Sequence, residues 1–173
     1  MGKRAVEDPW LVRVDCRGHE PLLAAMMARQ LPKITGHPVE VAVEQLKLGD
    51  VVWEVAALSY VVERKSMTTA DFEASFAFGR GRGGSQLRRM LAAAPGRCLL
   101  IVEGEWVRGS DGLLYTPSGL PIGSMSWAQF DGLLWRIRMS GVIVYLSSEM
   151  KETVWAIGKA MKMSHNPSSW LTP

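Results

Sequence analysis

Glu63 and Lys65 stand two positions apart at the end of the apolar run Val61-Val62, and Asp50 lies upstream in the dipeptide Gly49-Asp50. Two carboxylates brought together can hold a divalent cation, and a lysine beside them can steer an attacking water, which is what hydrolysis of a phosphodiester requires. Alternate residues of a strand share a face, so Glu63 and Lys65 point one way and Arg64 the other. An ordinary cross-strand ion pair among Glu63, Lys65 and Asp50 has the same spacing, and spacing alone leaves both readings open.

The elements that must position these residues follow from periodicity. Leu11 to Cys16 alternates as a half-buried strand, and Glu20 to Leu31 has helical spacing with Pro32 closing it. Val39 to Glu44 alternates again, and Val51 to Val55 pairs with Tyr60 to Lys65 through a turn at Ala57 to Ser59, a hairpin with Asp50 at the start of one strand and Glu63 near the end of its partner, so that the two can converge. A helix starts after Ser66 with Phe72 and Phe76 as anchors, and Gly79 to Gly84 reads as a flexible loop. That loop spells G-x-G-x-x-G but follows a helix rather than a strand, which argues against a nucleotide cofactor. Ser85 to Ala94 is a helix and Arg97 to Val102 a buried strand. Residues 105–125 form an extended hairpin or loop insertion, and Ser126 caps a helix that Gly141 stops. Val142 to Leu146 is a last buried strand, and a closing helix runs from Ser147 to about Met163.

Strands alternating with helices around one early antiparallel hairpin predict an α/β fold, three layers with a mixed central sheet flanked by helices. The 173 residues, 47% hydrophobic and 21% charged, suit one domain over 1–173, with a core at about 10–163 and a loosely attached tail at 164–173. No apolar run reaches the ~20 residues of a membrane span and no signal peptide is legible, so no membrane partner and an intracellular location are expected. Cys16 and Cys98 lack metal-ligand spacing and read as buried free thiols. Net charge is only +3, yet Arg80, Arg82, Arg88 and Arg89 crowd one window with Arg64 and Lys65 upstream, a candidate phosphate-facing patch or else a solvated helix face. Among the aromatics, Trp106 and Tyr115 in the insertion are the candidates for stacking on bases, whereas Trp127, Trp135 and Trp155 belong to a core or a dimer interface.

Gly49-Asp50 followed by Val62-Glu63-Arg64-Lys65-Ser66 resembles the G-D…V-E-R-K-S signature of the XPF-type structure-specific endonucleases, a branch of the PD-(D/E)xK superfamily. Val14-Asp15-Cys16-Arg17, Gly79-Arg80 with Ser85-Gln86, and Leu99-Leu100-Ile101-Val102-Glu103 are similar to three further elements of that family, in order. The resemblance implies a restriction-endonuclease-like core using Mg²⁺ or Mn²⁺. Asp50 and Glu63 would be metal ligands, Lys65 would polarise the water, and Asp15 would be a further acidic site residue. Arg64 would offer its carbonyl to the metal or its side chain to the support, and Arg80 and Gln86 would meet the DNA backbone, with Arg82, Arg88 and Arg89 extending that contact.

The pattern also departs from the family. Gly18 stands where an acid usually follows V-D-x-R, so Glu20 either substitutes from the helix start or simply favours the helix dipole. An acid expected soon after the lysine appears only at Asp71, and the glycine-arginine loop is longer than usual. No helix-hairpin-helix module, the family's usual aid to dimerisation and branched-DNA binding, is legible. The expected function is metal-dependent hydrolysis of branched or flap DNA in repair, recombination or replication by a homodimer, in the cytoplasm of a bacterial, archaeal or viral setting or a eukaryotic nucleus. The alternative is a non-catalytic nuclease-like DNA-binding or scaffold subunit.

Overall fold

The computed structural model describes residues 8–17, 20–67 and 82–166; the side chains of Glu20 and of residues 82–85 fall outside the description as well. Six strands form the main sheet, in the order β2-β1-β3-β4-β5-β9. They are β1 (Trp10–Asp15), β2 (Val39–Glu44), β3 (Val51–Val55), β4 (Leu58–Ser66), β5 (Cys98–Glu103) and β9 (Ile143–Ser147). β1 runs parallel to β2 and antiparallel to β3, β3 and β4 form the antiparallel hairpin, and β4, β5 and β9 are mutually parallel. Its mixed sheet and flanking helices are those expected from the alternation of elements.

Two apolar layers sandwich the sheet. On one face Val12, Val14, Val51, Trp53, Val62, Leu99 and Ile101 meet helices α1 (Glu20–Thr35) and α4 (Met150–His165), through Leu23, Met27, Leu31, Val154, Ile157 and Met161. Gly158 lets α1 and α4 approach, because a Cβ there would lie 2.7 Å from a methyl carbon of Ile34. On the other face Val61, Cys98, Leu100 and Val102 meet α2 (Arg82–Ala93) and α3 (Trp127–Met139), through Leu87, Met90, Phe130, Leu134 and Ile137. β5 is buried on both faces, which is why its sequence is a continuous apolar run rather than an alternating one.

The insertion is a second sheet rather than a plain hairpin or loop. β6 (Val107–Arg108), β7 (Leu113–Tyr115) and β8 (Pro121–Ser126) pair antiparallel, and Leu114 with a Trp106–Trp127–Phe130 aromatic cluster anchors them to α3. Ser126 then caps α3 in a reciprocal box with Gln129.

Several local expectations need correction. Pro32 does not close α1, which continues to Thr35; its Oγ1 donates to the carbonyl of Leu31 at 2.8 Å. α2 begins at Arg82, so Gly83 and Gly84 are helical rather than loop. β9 is an edge strand with Ile143 60% exposed, not a buried one, α4 extends to His165, and Cys16 is exposed. The helix expected around Phe72 and Phe76 lies outside the described residues, as does Asp71.

Candidate active site

Gly49 sets the position of Asp50. Its φ of +73° is the left-handed conformation that favours glycine, and a Cβ there would sit 2.7 Å from the carbonyl oxygen of Val62. Two backbone bonds and one to the side chain then fix Asp50: its N–H donates to Val62 O at 2.8 Å, its carbonyl accepts from the Asp15 N–H at 2.9 Å, and its Oδ2 accepts from the Arg64 N–H at 2.6 Å. Val51 pairs with Val62 across the hairpin, so the next pair outward sets Asp50 against Glu63 on one face of the sheet.

Glu63 is 1% exposed. A carboxylate so far from water needs compensation, and its partners include Lys65 Nζ at 2.6 Å from Oε1 and the Gln86 side-chain amide of α2, which donates to Oε2. Lys65 approaches Glu63 from the same strand face, as the parity of β4 requires. Burial raises the Asp50 carboxyl above the usual carboxylate range, the nearby Asp15 charge adds to this, and the Arg64 N–H with the Lys65 and Arg64 charges opposes it.

Arg64 turns to the opposite face. Its Nη1 meets Glu103 Oε1 at 3.0 Å, Glu103 Oε2 accepts from Thr153 Oγ1 at 2.6 Å, and Thr153 shares a bond with Ser147 at 2.8 Å. This network ties the end of β4 to β5, β9 and α4, directly behind the site. Motif and spacing do not point to Thr153 or Ser147; both are buried polar residues within apolar patterns, which is the one signal that could find them.

Asp15 is 4% exposed and each of its carboxylate oxygens is engaged: Oδ2 accepts from Arg17 Nε at 2.6 Å and Oδ1 from the Leu46 N–H at 3.0 Å, while Arg17 Nη2 donates to Leu46 O at 2.8 Å. Its carboxylate thus anchors the segment between β2 and β3 that delivers Asp50. Glu20 is the first residue of α1, with its side chain undescribed; Arg80 lies outside the described residues, and Arg82 opens α2 with an undescribed side chain. Arg88 and Arg89 are exposed on α2, whereas Gln86, expected at the DNA backbone, reaches Glu63.

Asp50 and Glu63 supply hard oxygen donors of the kind Mg²⁺ accepts beside several waters, and a buried glutamate near a half-buried aspartate fits such an ion. Among the described residues no group of three or more His, Cys, Asp or Glu side chains gathers to hold a metal, and the described carboxylates here are those of Asp50 and Glu63 with Asp15 behind them. No helix among the described residues is long and apolar enough to cross a membrane.

A family model for the ERCC4 domain matches residues 23–154, a span that contains Asp50, Glu63, Lys65, Gln86, Glu103 and Thr153 but not Asp15. Among solved structures, XPF from Aeropyrum pernix is 20% identical with a TM-score of 0.62, over 93% of this chain and 68% of that one. XPF from Aeropyrum pernix in complex with DNA is 22% identical with a TM-score of 0.53, over 91% and 66%. This chain therefore spans about two thirds of the length of those proteins, and the likeness is one of fold. No curated protein matches the sequence. With the family model covering most of the chain, the protein belongs to the ERCC4-domain family, whose nucleases are endonucleases.

Proposed function

We propose that this protein is a Mg²⁺- or Mn²⁺-dependent DNA endonuclease that hydrolyses phosphodiester bonds in branched or flap DNA as a homodimer. The observation that carries the reading is the Asp50 carboxylate held at 2.6 Å by the Arg64 N–H, one residue from Glu63, with Lys65 Nζ 2.6 Å from the Glu63 carboxylate. Asp50 and Glu63 would hold the ion, with the Arg64 carbonyl as a further donor. The ion, when bound, supplies a polarised water and neutralises charge on the phosphate. Lys65 holds and orients that water from the Glu63 side, Gln86 fixes the rotamer of Glu63, and Arg88 and Arg89, with Arg80 and Arg82 upstream in the sequence, meet backbone phosphates. The DNA complex of the Aeropyrum pernix protein supports DNA as the partner.

One observation favours the alternative, a non-catalytic DNA-binding or scaffold subunit: both Glu63 oxygens are already engaged, by Lys65 and Gln86. Cleavage of three-way, four-way, flap and linear DNA with Mg²⁺ separates the two. Endonuclease function predicts cutting that Asp50→Ala, Glu63→Ala and Lys65→Ala each abolish with the fold intact by circular dichroism. Binding without cutting on every substrate identifies the scaffold.

A further inference from the structure

The three-stranded insertion stands at the end of the main sheet that carries the candidate site. Lys65 and Ser66 pair with Val102 and Glu103, the Met67 N–H donates to the Glu103 carbonyl at 2.7 Å, and the insertion follows directly from Gly104. It also covers the site's face of the sheet. Leu114 is buried in one cluster with Val61 and Val102, with Trp106, Ile122 and Met125 packed against it, and strand parity puts Glu63 and Lys65 on the face of Val61. The turn from β7 to β8 is braced: the Thr116 N–H donates to the Leu120 carbonyl at 2.8 Å, the Gly119 N–H to the Thr116 carbonyl at 2.9 Å and the Leu120 N–H to Thr116 Oγ1 at 3.1 Å. Proline restricts the backbone on either side, at Pro117 and Pro121. Pro117 shares the wall of a cavity with Gly104 and Glu105, which sets the turn beside the end of β5. This stiff turn holds Leu120 65% exposed between two exposed prolines, and no charged residue occurs anywhere in 115–130.

We propose that Leu120, flanked by Pro117 and Pro121, is a wedge that enters the base stack of DNA at a branch point and holds the strands apart beside the phosphate to be cut. The proposal rests on the endonuclease reading and adds to it the device that selects branched DNA. Leucine and proline are among the side chains that unstack a base step when they are inserted into it. Bases within a continuous duplex resist this, whereas those at a branch are already partly unpaired, so insertion costs least there. An uncharged tip suits the base stack rather than the phosphates, which fall to Arg88 and Arg89. Because the turn is already ordered by its own hydrogen bonds, binding does not have to order it. A protein partner fits less well, since one leucine and two prolines present far less than the ~800 Å² per side of a stable interface.

The test uses the full chain in EDTA, so that binding is read without metal-dependent cutting, and two DNAs carrying 2-aminopurine, a base that brightens when it leaves the stack. One is a flap with the probe at the branch point, the other a continuous duplex with the probe in the same sequence. Fluorescence should rise on binding to the flap and stay level with the duplex. Leu120→Ser, at an exposed position, should keep the circular dichroism spectrum, abolish the rise and weaken flap binding by about tenfold with duplex binding unchanged. Leu120→Met should keep the rise. Flap binding by wild type without a rise overturns the wedge and leaves the endonuclease reading standing. A rise that persists in Leu120→Ser also overturns it, and assigns the exposed turn to some other partner, as does an equal loss of affinity for flap and duplex. Binding to neither DNA overturns the wedge and the endonuclease reading together.

Discussion

Burial makes Asp50 a costly residue for folding and a useful one for chemistry. Because its carboxyl is raised above 3.8 in the folded state, the folded protein holds that proton more tightly than the unfolded chain does. Stability is therefore lost as pH rises from 3.8 through the raised folded value, and the penalty is complete above it. Asp50→Asn keeps an oxygen for the Arg64 N–H but drops the charge, so in metal-free buffer at pH 7 its melting temperature should exceed wild type, by about 2–4 °C per kcal/mol for a domain of this size. A lower melting temperature would show that the Asp50 charge stabilises the fold. Gly49→Ala works in the opposite direction: the Cβ meets Val62 O in a backbone conformation that alanine resists. Such strain costs about 1–3 kcal/mol and displaces Asp50, so both the melting temperature and cleavage should fall; undiminished cleavage would detach Gly49 from the site.

At the scale of elements, the β3–β4 hairpin is the most legible part of the sequence because everything about it is local. Short apolar runs, Val51-Val52-Trp53 and Tyr60-Val61-Val62, set its two strands, and a glycine marks the turn into Asp50. The bond from Gln86 to Glu63 is not legible, because it joins α2 to β4 across 23 positions and leaves no trace in the period of either element. Asp15 suggests chemistry by its residue type, yet it holds the β2–β3 connection, a role that depends on the Leu46 N–H and cannot be seen in residue types. The insertion hides its third strand because its turns, Gly109–Gly112 and Thr116–Leu120, are rich in Gly, Ser and Pro while its strands are short. Trp106, a candidate for stacking on bases, stacks on Trp127 at 4.9 Å. On α2, the exposed Arg88 and Arg89 carry the prediction for DNA binding. Replacing both with Gln should flatten the log–log dependence of affinity on salt by roughly 0.9 for each phosphate that is no longer neutralised. An unchanged slope would place phosphate binding elsewhere.

At the scale of the whole molecule, the termini of the described chain are joined by aromatic stacking. His165, at the end of α4, stacks on Trp10 of β1 at 3.7 Å, and Trp10 stacks on His37 at 4.4 Å. Burial lowers the His165 pKa below 6.5, with the His37 charge adding to the effect. The unfolded chain thus takes up a proton that the folded one resists, so stability falls as pH drops from 6.5 towards the lowered folded value and levels off below it. His165→Gln should reduce the change in melting temperature between pH 7 and 5; an undiminished change would assign that dependence to other groups. The layered α/β architecture is legible from the order of elements, whereas the open β9 edge is not, since a strand buried on both faces and an edge strand under overhanging helices share one apolar sequence. Nuclease activity would require Asp50 and Glu63 to act together on one bound ion. The most direct test is Mg²⁺-dependent cleavage of flap and four-way DNA by wild type and by Glu63→Ala. The prediction is cutting that rises with Mg²⁺ in wild type and is absent in the variant at every Mg²⁺ concentration; equal cutting by the two proteins would contradict it.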